Sequence, residues 1–308
     1  MEIIDFNSLV KKECVLTTGN FDGVHCGHVK LLTTLNDIAQ KNCYKRVLLT
    51  FKRHPRLFFN PGLTHYVLSP FEEKTKLLSE LVDYIVPIDF NKEFAAIEPE
   101  DYMLHLIKHF NMQHYIAGYD HHIGRGKNGS FENLIKLTKK LSFKLDRVKP
   151  DIYRNKPVSS SRIKDCLEQG KPEHAAIMLG RYYNLEGEVI KGRQLGRTIN
   201  FPTANIGLAH DKYIPPQGVY AAIAIIQDKK YPAMLNIGVN PTVTSLGQLS
   251  VEAHLPGFSG NIYGEKIKVG LINKIRDEKK FKNIALLKEQ IEKDKEEIIK
   301  IYYQNILD

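Results

Sequence analysis

Apolar residues in the first part of the chain recur with two alternating periods. "CVLTTG", "RVLLTF", "DYIVPIDF" and "HYIAGYD" are short, apolar and rich in β-branched residues, the composition of buried strands. Between them, "GHVKLLTTLNDIAQ", "SPFEEKTKLLSEL" and "EPEDYMLHLIKHF" set apolar residues three and four apart, which predicts amphipathic helices. Strand and helix in alternation predict a parallel sheet covered by helices. Ligands of such sheets sit outside the carboxyl ends of the strands, commonly where the strand order reverses. "SSSRIKDCLEQG" and "PEHAAIMLGRYY" predict two further helices, the first opening on a serine cluster suited to N-capping.

After Asn184 the period changes. "LEGEVIKG", "GVYAAIAIIQ", "YPAMLNIGVN", "LSVEAHLPGF" and "KIKVGLINKI" are strand-like runs separated by Gly, Pro and Asn turns, which predicts a small antiparallel barrel. Residues 281–302 read as one long amphipathic helix, with Ile284, Leu287, Ile291, Ile298 and Ile301 near one stripe that would pack on the barrel. The expected organisation is two domains, residues 1–183 and 184–308.

Composition narrows the classes. A chain of 308 residues exceeds what one compact core usually holds. It has no apolar run of the roughly 18 to 20 residues that a membrane span needs, and "MEIIDFNSLVKK" lacks the basic-then-apolar order of a secretory signal. The expected setting is cytoplasmic, with no membrane partner. Cys14, Cys26, Cys43 and Cys166 form no CxxC pair, which argues against a structural zinc site and a disulfide framework. The net charge of +9 suits anionic partners without choosing among them. With no arginine-rich tail and no aromatic-basic RNA motif, nucleic acid is not an expected partner.

Candidate chemistry starts at "TTGNFDGVHCGH", residues 17–28, which leaves a strand and opens a helix. Helix starts bind phosphate through backbone N–H groups and the dipole, and a glycine at Gly27 lets a nucleotide approach closely. His25 and His28, three apart at that start, can aim donors at phosphate oxygens and stabilise charge growing in a transition state. Alone, the pair also reads as turn residues or as two metal ligands. "VSSSRIK" puts Ser159, Ser160 and Ser161 before Arg162 and Lys164, a second cradle for phosphate, although a bare N-cap explains one of the serines.

In the second half, "GRQLGRT" begins at Gly192 and includes Gly196. It is one residue short of a P-loop, carries Arg197 where Lys belongs and precedes no helix; a loop folding over a nucleotide stays open. "FPTAN" sets Thr203 and Asn205 two apart, on one side of an extended segment, where they could hold Mg²⁺ or serve as turn residues beside a proline. Glu252 in "LSVEAHLPG" is either the solvent-facing member of an alternating strand or a general base for a substrate hydroxyl. Spacing alone does not decide.

"GNFDGVHCGH" with "VSSSRIK" resembles the nucleotidyltransferases of the HxGH class, whose fold is a doubly wound α/β domain. The fuller "TTGNFDGVHCGH", "TFKRHP" and "VSSSRIKDCLEQG" are similar to the FMN adenylyltransferase module of bacterial bifunctional riboflavin kinase/FAD synthetases. The resemblance implies that His25 and His28 contact ATP phosphates, that Gly19, Asn20, Phe21, Asp22, Gly23 and Gly27 frame the nucleotide, and that Ser159, Ser160, Ser161 and Arg162 hold phosphate. It places Asp120 beside the flavin. His121, His122 and Ile123 depart from the family's "FRF", and Arg53 replaces a usual proline.

"GRTINFPTANI", "GVYAA", "NIGVNPT", "SVEAHLPGFSGNIYGEKIKV" and "IRDEKKF" occur in the order found in flavokinases, whose fold is a six-stranded Greek-key barrel with helices. This second resemblance implies Gly192 and Gly196 at the nucleotide, Thr203 and Asn205 at Mg·ATP, Glu252 as base on the terminal ribityl hydroxyl of riboflavin, and Arg276 near the flavin. Ile199 and Asn200 stand where the family generally has Leu and Gly. Together the resemblances imply that ATP phosphorylates riboflavin to FMN in the barrel and adenylylates FMN to FAD, releasing pyrophosphate, in the α/β domain. Two rival expectations are a flavokinase with an inactive adenylyltransferase module and an RNA-associated regulatory protein.

Overall fold

A computed structural model of the chain describes residues 1–124, 129–192, 199, 201–240 and 248–306. Its contacts divide the chain into two compact units, Met1–Ser160 and Ser161–Asp308.

The first unit is built on six parallel strands: β1 (Glu2–Ile3), β2 (Cys14–Gly19), β3 (Lys45–Phe51), β4 (Tyr84–Ile88), β5 (Met112–Ala117) and β6 (Lys144–Arg147). Their order across the sheet is β1-β4-β3-β2-β5-β6. Helices α1 (Cys26–Asn42), α2 (Pro55–Phe59), α3 (Phe71–Leu78), α4 (Lys92–Ala95), α5 (Pro99–Phe110) and α6 (Phe131–Leu141) connect them, and a short hairpin of β7 (Ile152–Tyr153) and β8 (Lys156–Pro157) follows. Successive strand residues face opposite ways, and both faces are apolar. Cys14, Leu16, Val47 and Leu49 pack with Met103, Leu106 and Phe110 of α5. Val15, Leu48 and Ile85 pack with Leu32 and Leu35 of α1 and Leu78 of α3. A sheet covered on both faces reads as continuous apolar runs, which is why these strands stood out in the sequence. The edge strands β1 and β6 carry no such run and are not evident from the pattern.

The second unit contains most of α7 (Ser160–Glu168), then α8 (Pro172–Leu179) and six strands: β9 (Tyr183–Ile190), β10 (Thr203–Gly207), β11 (Gly218–Ile226), β12 (Lys229–Asn240), β13 (Gln248–His254) and β14 (Lys266–Arg276). They close into an antiparallel barrel in the order β10-β13-β12-β11-β14-β9. Helix α8 packs on β14, so the division between units falls at Ser160/Ser161 rather than at the change of period near residue 183.

The last helix, α9 (Ile284–Ile306), starts three residues later than the sequence pattern suggests and runs longer. Ile291, Ile298, Ile301 and Tyr302 pack on Val219, Ala221, Ile223 and Met234 of the barrel. Ile284, expected on the stripe, is 62% exposed: it opens the helix before the chain reaches the barrel wall.

Candidate active sites

The order β4-β3-β2-β5-β6 reverses at β2, since the chain winds to one side through β3 and β4 and then returns through β5. The segments leaving β2 and β5 therefore flank one crevice at the carboxyl edge. Residues 19–28 leave β2, and Gly118 to Asp120 leave β5.

The loop after β2 is held from several sides. The Phe21 ring folds back on Gly19, where a Cβ would sit 2.8 Å from a ring carbon. The Asn20 carbonyl accepts from the Thr50 hydroxyl and the Lys74 ammonium, both at 3.1 Å. Buried Asp22 accepts the Ser69 N–H at Oδ1, 3.2 Å, and its carbonyl accepts the Ser160 hydroxyl at 2.7 Å. The last bond joins "GNFDG" to "VSSSRIK", two motifs 138 residues apart. Phe21, Gly23 and Val24 have φ of 51°, 84° and 39°. Left-handed backbone at a β-branched valine is costly and persists only where the surroundings over-determine it.

His25 is the N-cap of α1 and His28 is its third residue. The His28 N–H donates to His25 Nδ1 at 3.3 Å, and the His25 N–H donates to His28 Nδ1 at 3.2 Å. This is a capping box made by two imidazoles, and the rings stack with centroids 3.6 Å apart. It gives the three-residue spacing a physical cause. A nitrogen that accepts carries no proton, so each neutral ring keeps its hydrogen on Nε2, the atom not engaged in the cap. A Cβ on Gly27 would lie 3.2 Å from two atoms of the His25 ring; the close neighbour of this glycine is the histidine stack.

Ser159 immediately precedes α7 and Ser160 opens it. Ser161 and Arg162 lie in its first turn and belong to the second unit. Asp120 is exposed beyond β5. Next to it His121 turns inward, Nε2 2.8 Å from the Tyr115 hydroxyl, and burial, with a smaller contribution from His122, pushes its pKa down to about 4. This ring is committed to the sheet, which explains how a histidine stands where the resemblance expects phenylalanine.

An aromatic group follows β3 and β4. Phe58, Phe59 and Phe90 meet edge to face with centroids 5.3, 5.6 and 5.7 Å apart, and Phe59 is 65% exposed. "RLFF" and "IDF" carry it in the sequence, but nothing local shows that the two segments meet.

In the barrel, Asn205 on β10 and Asn236 on β12 are both register partners of Glu252 on β13. Residues directly opposite on antiparallel strands share a face, so the three side chains form one row. Their neighbours Ala204, Ala253 and Leu235 are buried on the other face. Thr203 lies on the Glu252 side, its hydroxyl donating to Oε2 at 3.0 Å. Gly192 lies so close to the Asn205 amide that a Cβ would overlap it. Gly196 lies outside the described residues, as do the other members of "GRQLGRT" after Gly192.

The register continues from Asn236 through Val219 to Arg276, three strands beyond Glu252, about 14 Å at the usual strand spacing. Arg276 is clamped from α9. Nε and Nη2 donate to Asp294 at 2.9 and 2.7 Å, and Gln290 donates to the same carboxylate at 2.8 Å. The Asp294 side chain is 3% exposed. Neither Asn236 nor Asp294 was singled out from sequence, although both left a signal: a polar residue in an apolar strand, and an acid three residues after Ile291 on an apolar stripe.

Thr203 and Asn205 supply neutral oxygens on one face of β10, with the Glu252 carboxylate beside them, a donor set that suits a hard cation. Among the described residues, no three or more His, Cys, Asp or Glu side chains gather as a metal cluster. No helix of the described residues is long and apolar enough to cross a membrane.

Residues 8–162 match the FAD synthetase family model, and residues 179–302 match the riboflavin kinase model. The chain is 35% identical over 306 residues to the bifunctional riboflavin kinase/FMN adenylyltransferase of Bacillus subtilis (strain 168), covering 97% of this chain and 96% of that protein. It is 38% identical over 303 residues to the protein of the same name from Buchnera aphidicola subsp. Schizaphis graminum, covering 96% of each. A crystal structure titled macrolide-efflux protein from Streptococcus pneumoniae matches with a TM-score of 0.87 and 29% identity, covering 96% of this chain and 97% of that one. Both halves are thus accounted for by matches that agree with the resemblance, and the chain belongs to the bifunctional riboflavin kinase/FMN adenylyltransferase family, whose ATP-dependent activities make FMN from riboflavin and FAD from FMN.

Proposed function

We propose that the two reactions run at two separate constellations, FMN formation around Glu252 and adenylylation around the His25–His28 cap. The single observation that carries this reading is the reciprocal cap, which explains the spacing of the histidines and occupies both Nδ1 atoms, so that Nε2 is the nitrogen that carries the ring hydrogen. In the adenylyl transfer, a phosphate oxygen of FMN attacks the α-phosphorus of ATP and pyrophosphate leaves. The two Nε2–H donors stabilise charge growing on the phosphate chain. Residues Gly19, Asn20, Phe21, Asp22 and Gly23 shape the nucleotide's loop, with Gly27 keeping room for the stacked rings. Ser159 and the Ser160 N–H supply further phosphate donors, the Ser160 hydroxyl being used on the Asp22 carbonyl. Asp120 faces the flavin, for which Phe59, the exposed member of the Phe58–Phe59–Phe90 group, offers a stacking surface.

In the barrel, the Glu252 carboxylate takes the proton of the terminal ribityl hydroxyl as that oxygen attacks the γ-phosphorus of ATP, and ADP leaves. The Thr203 hydroxyl, donating to Glu252, orients the base and keeps its lone pairs for a cation. Thr203 and Asn205 would hold Mg²⁺, which when bound neutralises phosphate charge. Gly192 and Gly196 would line the same nucleotide. Arg276, held by Asp294, stands at the far end of the row where the ring system of the substrate would lie.

On this reading the functional division is the one the change of period suggests, residues 1–183 for adenylylation and 184–308 for riboflavin phosphorylation. The setting is cytoplasmic and the partners are small molecules, with neither nucleic acid nor membrane. The efflux named for the Streptococcus structure is not carried to this chain. The test is chromatographic: riboflavin with Mg·ATP should give FMN and then FAD, while riboflavin consumption that stops at FMN would leave a flavokinase alone.

A further inference from the structure

Lys74 lies on α3, outside every motif that marks the nucleotide site, and is 4% exposed. Its ammonium donates to the Phe51 carbonyl at 2.8 Å, the Asn20 carbonyl at 3.1 Å and the Thr50 hydroxyl at 3.1 Å. That is one acceptor for each of its three N–H bonds. The Thr50 hydroxyl in turn donates to the Asn20 carbonyl at 3.1 Å. Burying a lysine carries a desolvation cost, so an ammonium placed here needs strong acceptors, and all three lie at the carboxyl ends of β2 and β3.

The consequence reaches the loop through one peptide plane. In a trans peptide the carbonyl of Asn20 and the N–H of Phe21 point in opposite directions. Two side-chain donors hold that carbonyl toward α3, so the Phe21 N–H is directed away from it. The next carbonyl but one, that of Asp22, is fixed by the Ser160 hydroxyl, which sets the Gly23 N–H by the same rule. Side chains thereby fix two peptide planes of this loop, and the Phe21 N–H is a backbone donor of the kind that receives an anion.

We propose that Lys74 is a positioning residue for adenylyl transfer: it touches no substrate, and it fixes the Asn20–Phe21 peptide so that the Phe21 amide meets an ATP phosphate. This rests on the reading that residues 19–23 frame ATP in the first unit. Loss of the ammonium lets the peptide rotate, and a misplaced donor weakens ATP without affecting the other substrate.

The test uses the full chain, with urea unfolding compared with the parent's as the measure of folded protein. Lys74→Met should raise the KM for ATP in FMN adenylylation about tenfold or more, the loss expected for a charge-assisted hydrogen bond, while the KM for FMN stays within about twofold. Thr50→Val, which removes the second donor to Asn20, should give a smaller shift of the same kind and decides the matter if the lysine variant does not fold. A merely structural lysine would lower the active fraction and leave both KM values unchanged. An ATP KM within about twofold of the parent in the folded lysine variant, or in Thr50→Val where that one alone folds, overturns the proposal. Absence of FAD formation by the parent chain would instead overturn the reading on which it rests.

Discussion

His25 and His28 cap each other: each backbone N–H is accepted by the other residue's Nδ1, with the ring centroids 3.6 Å apart. The same two side chains therefore start a helix and keep their ring hydrogens on Nε2. These roles separate by substitution. His25→Asn keeps a favoured N-cap oxygen, so the melting temperature should change little. Adenylylation should fall about 10²-fold or more, the usual loss for one oxyanion donor. A variant as active as the parent would show that His25 serves the helix alone.

Gly27→Ala tests the stack itself. Alanine is the better helix former by up to about 1 kcal/mol, but its Cβ would press on His25 at 3.2 Å. Stability measured by urea unfolding should be nearly unchanged while adenylylation drops roughly tenfold through the displaced ring. Unaltered activity would mean that ring position is not critical.

Much of this architecture is legible in the sequence. The apolar runs from Cys14 and Arg46 mark a sheet buried on both faces, and the change of period after Asn184 marks the barrel. Long-range partners are not legible. Lys74 sits in an ordinary amphipathic helix, and its burial follows from carbonyls at Asn20 and Phe51. Spacing brings His25 near His28 but does not say which ring nitrogen the cap consumes. Asp294 occupies an apolar stripe, yet only the fold shows Arg276 opposite.

Asp294→Ala leaves the guanidinium of Arg276 in a largely buried position, its side chain 13% exposed, without its carboxylate. Breaking a buried pair from one side costs about 3 to 5 kcal/mol, read as a lower denaturant midpoint. The KM for riboflavin should rise while adenylylation of supplied FMN is retained. A midpoint equal to the parent's would show that the clamp contributes nothing.

His121 predicts a pH dependence. Its folded pKa of about 4 lies below the ordinary value near 6.5, so the unfolded chain binds more protons between those limits. Its contribution therefore makes stability rise with pH from about 4 to 6.5 and level off above. Replacing it as His121→Gln should reduce that slope by up to one proton in urea unfolding measured across the window. An unchanged slope would show that the ring titrates freely in the folded chain.

The most direct test follows flavins by chromatography in the parent chain, in Glu252→Gln and in His28→Ala, each supplied with Mg·ATP and either riboflavin or FMN. The parent should make FMN and then FAD; Glu252→Gln should leave riboflavin untouched yet convert FMN to FAD, and His28→Ala should stop at FMN. Loss of both conversions from either folded variant would contradict the two-site account.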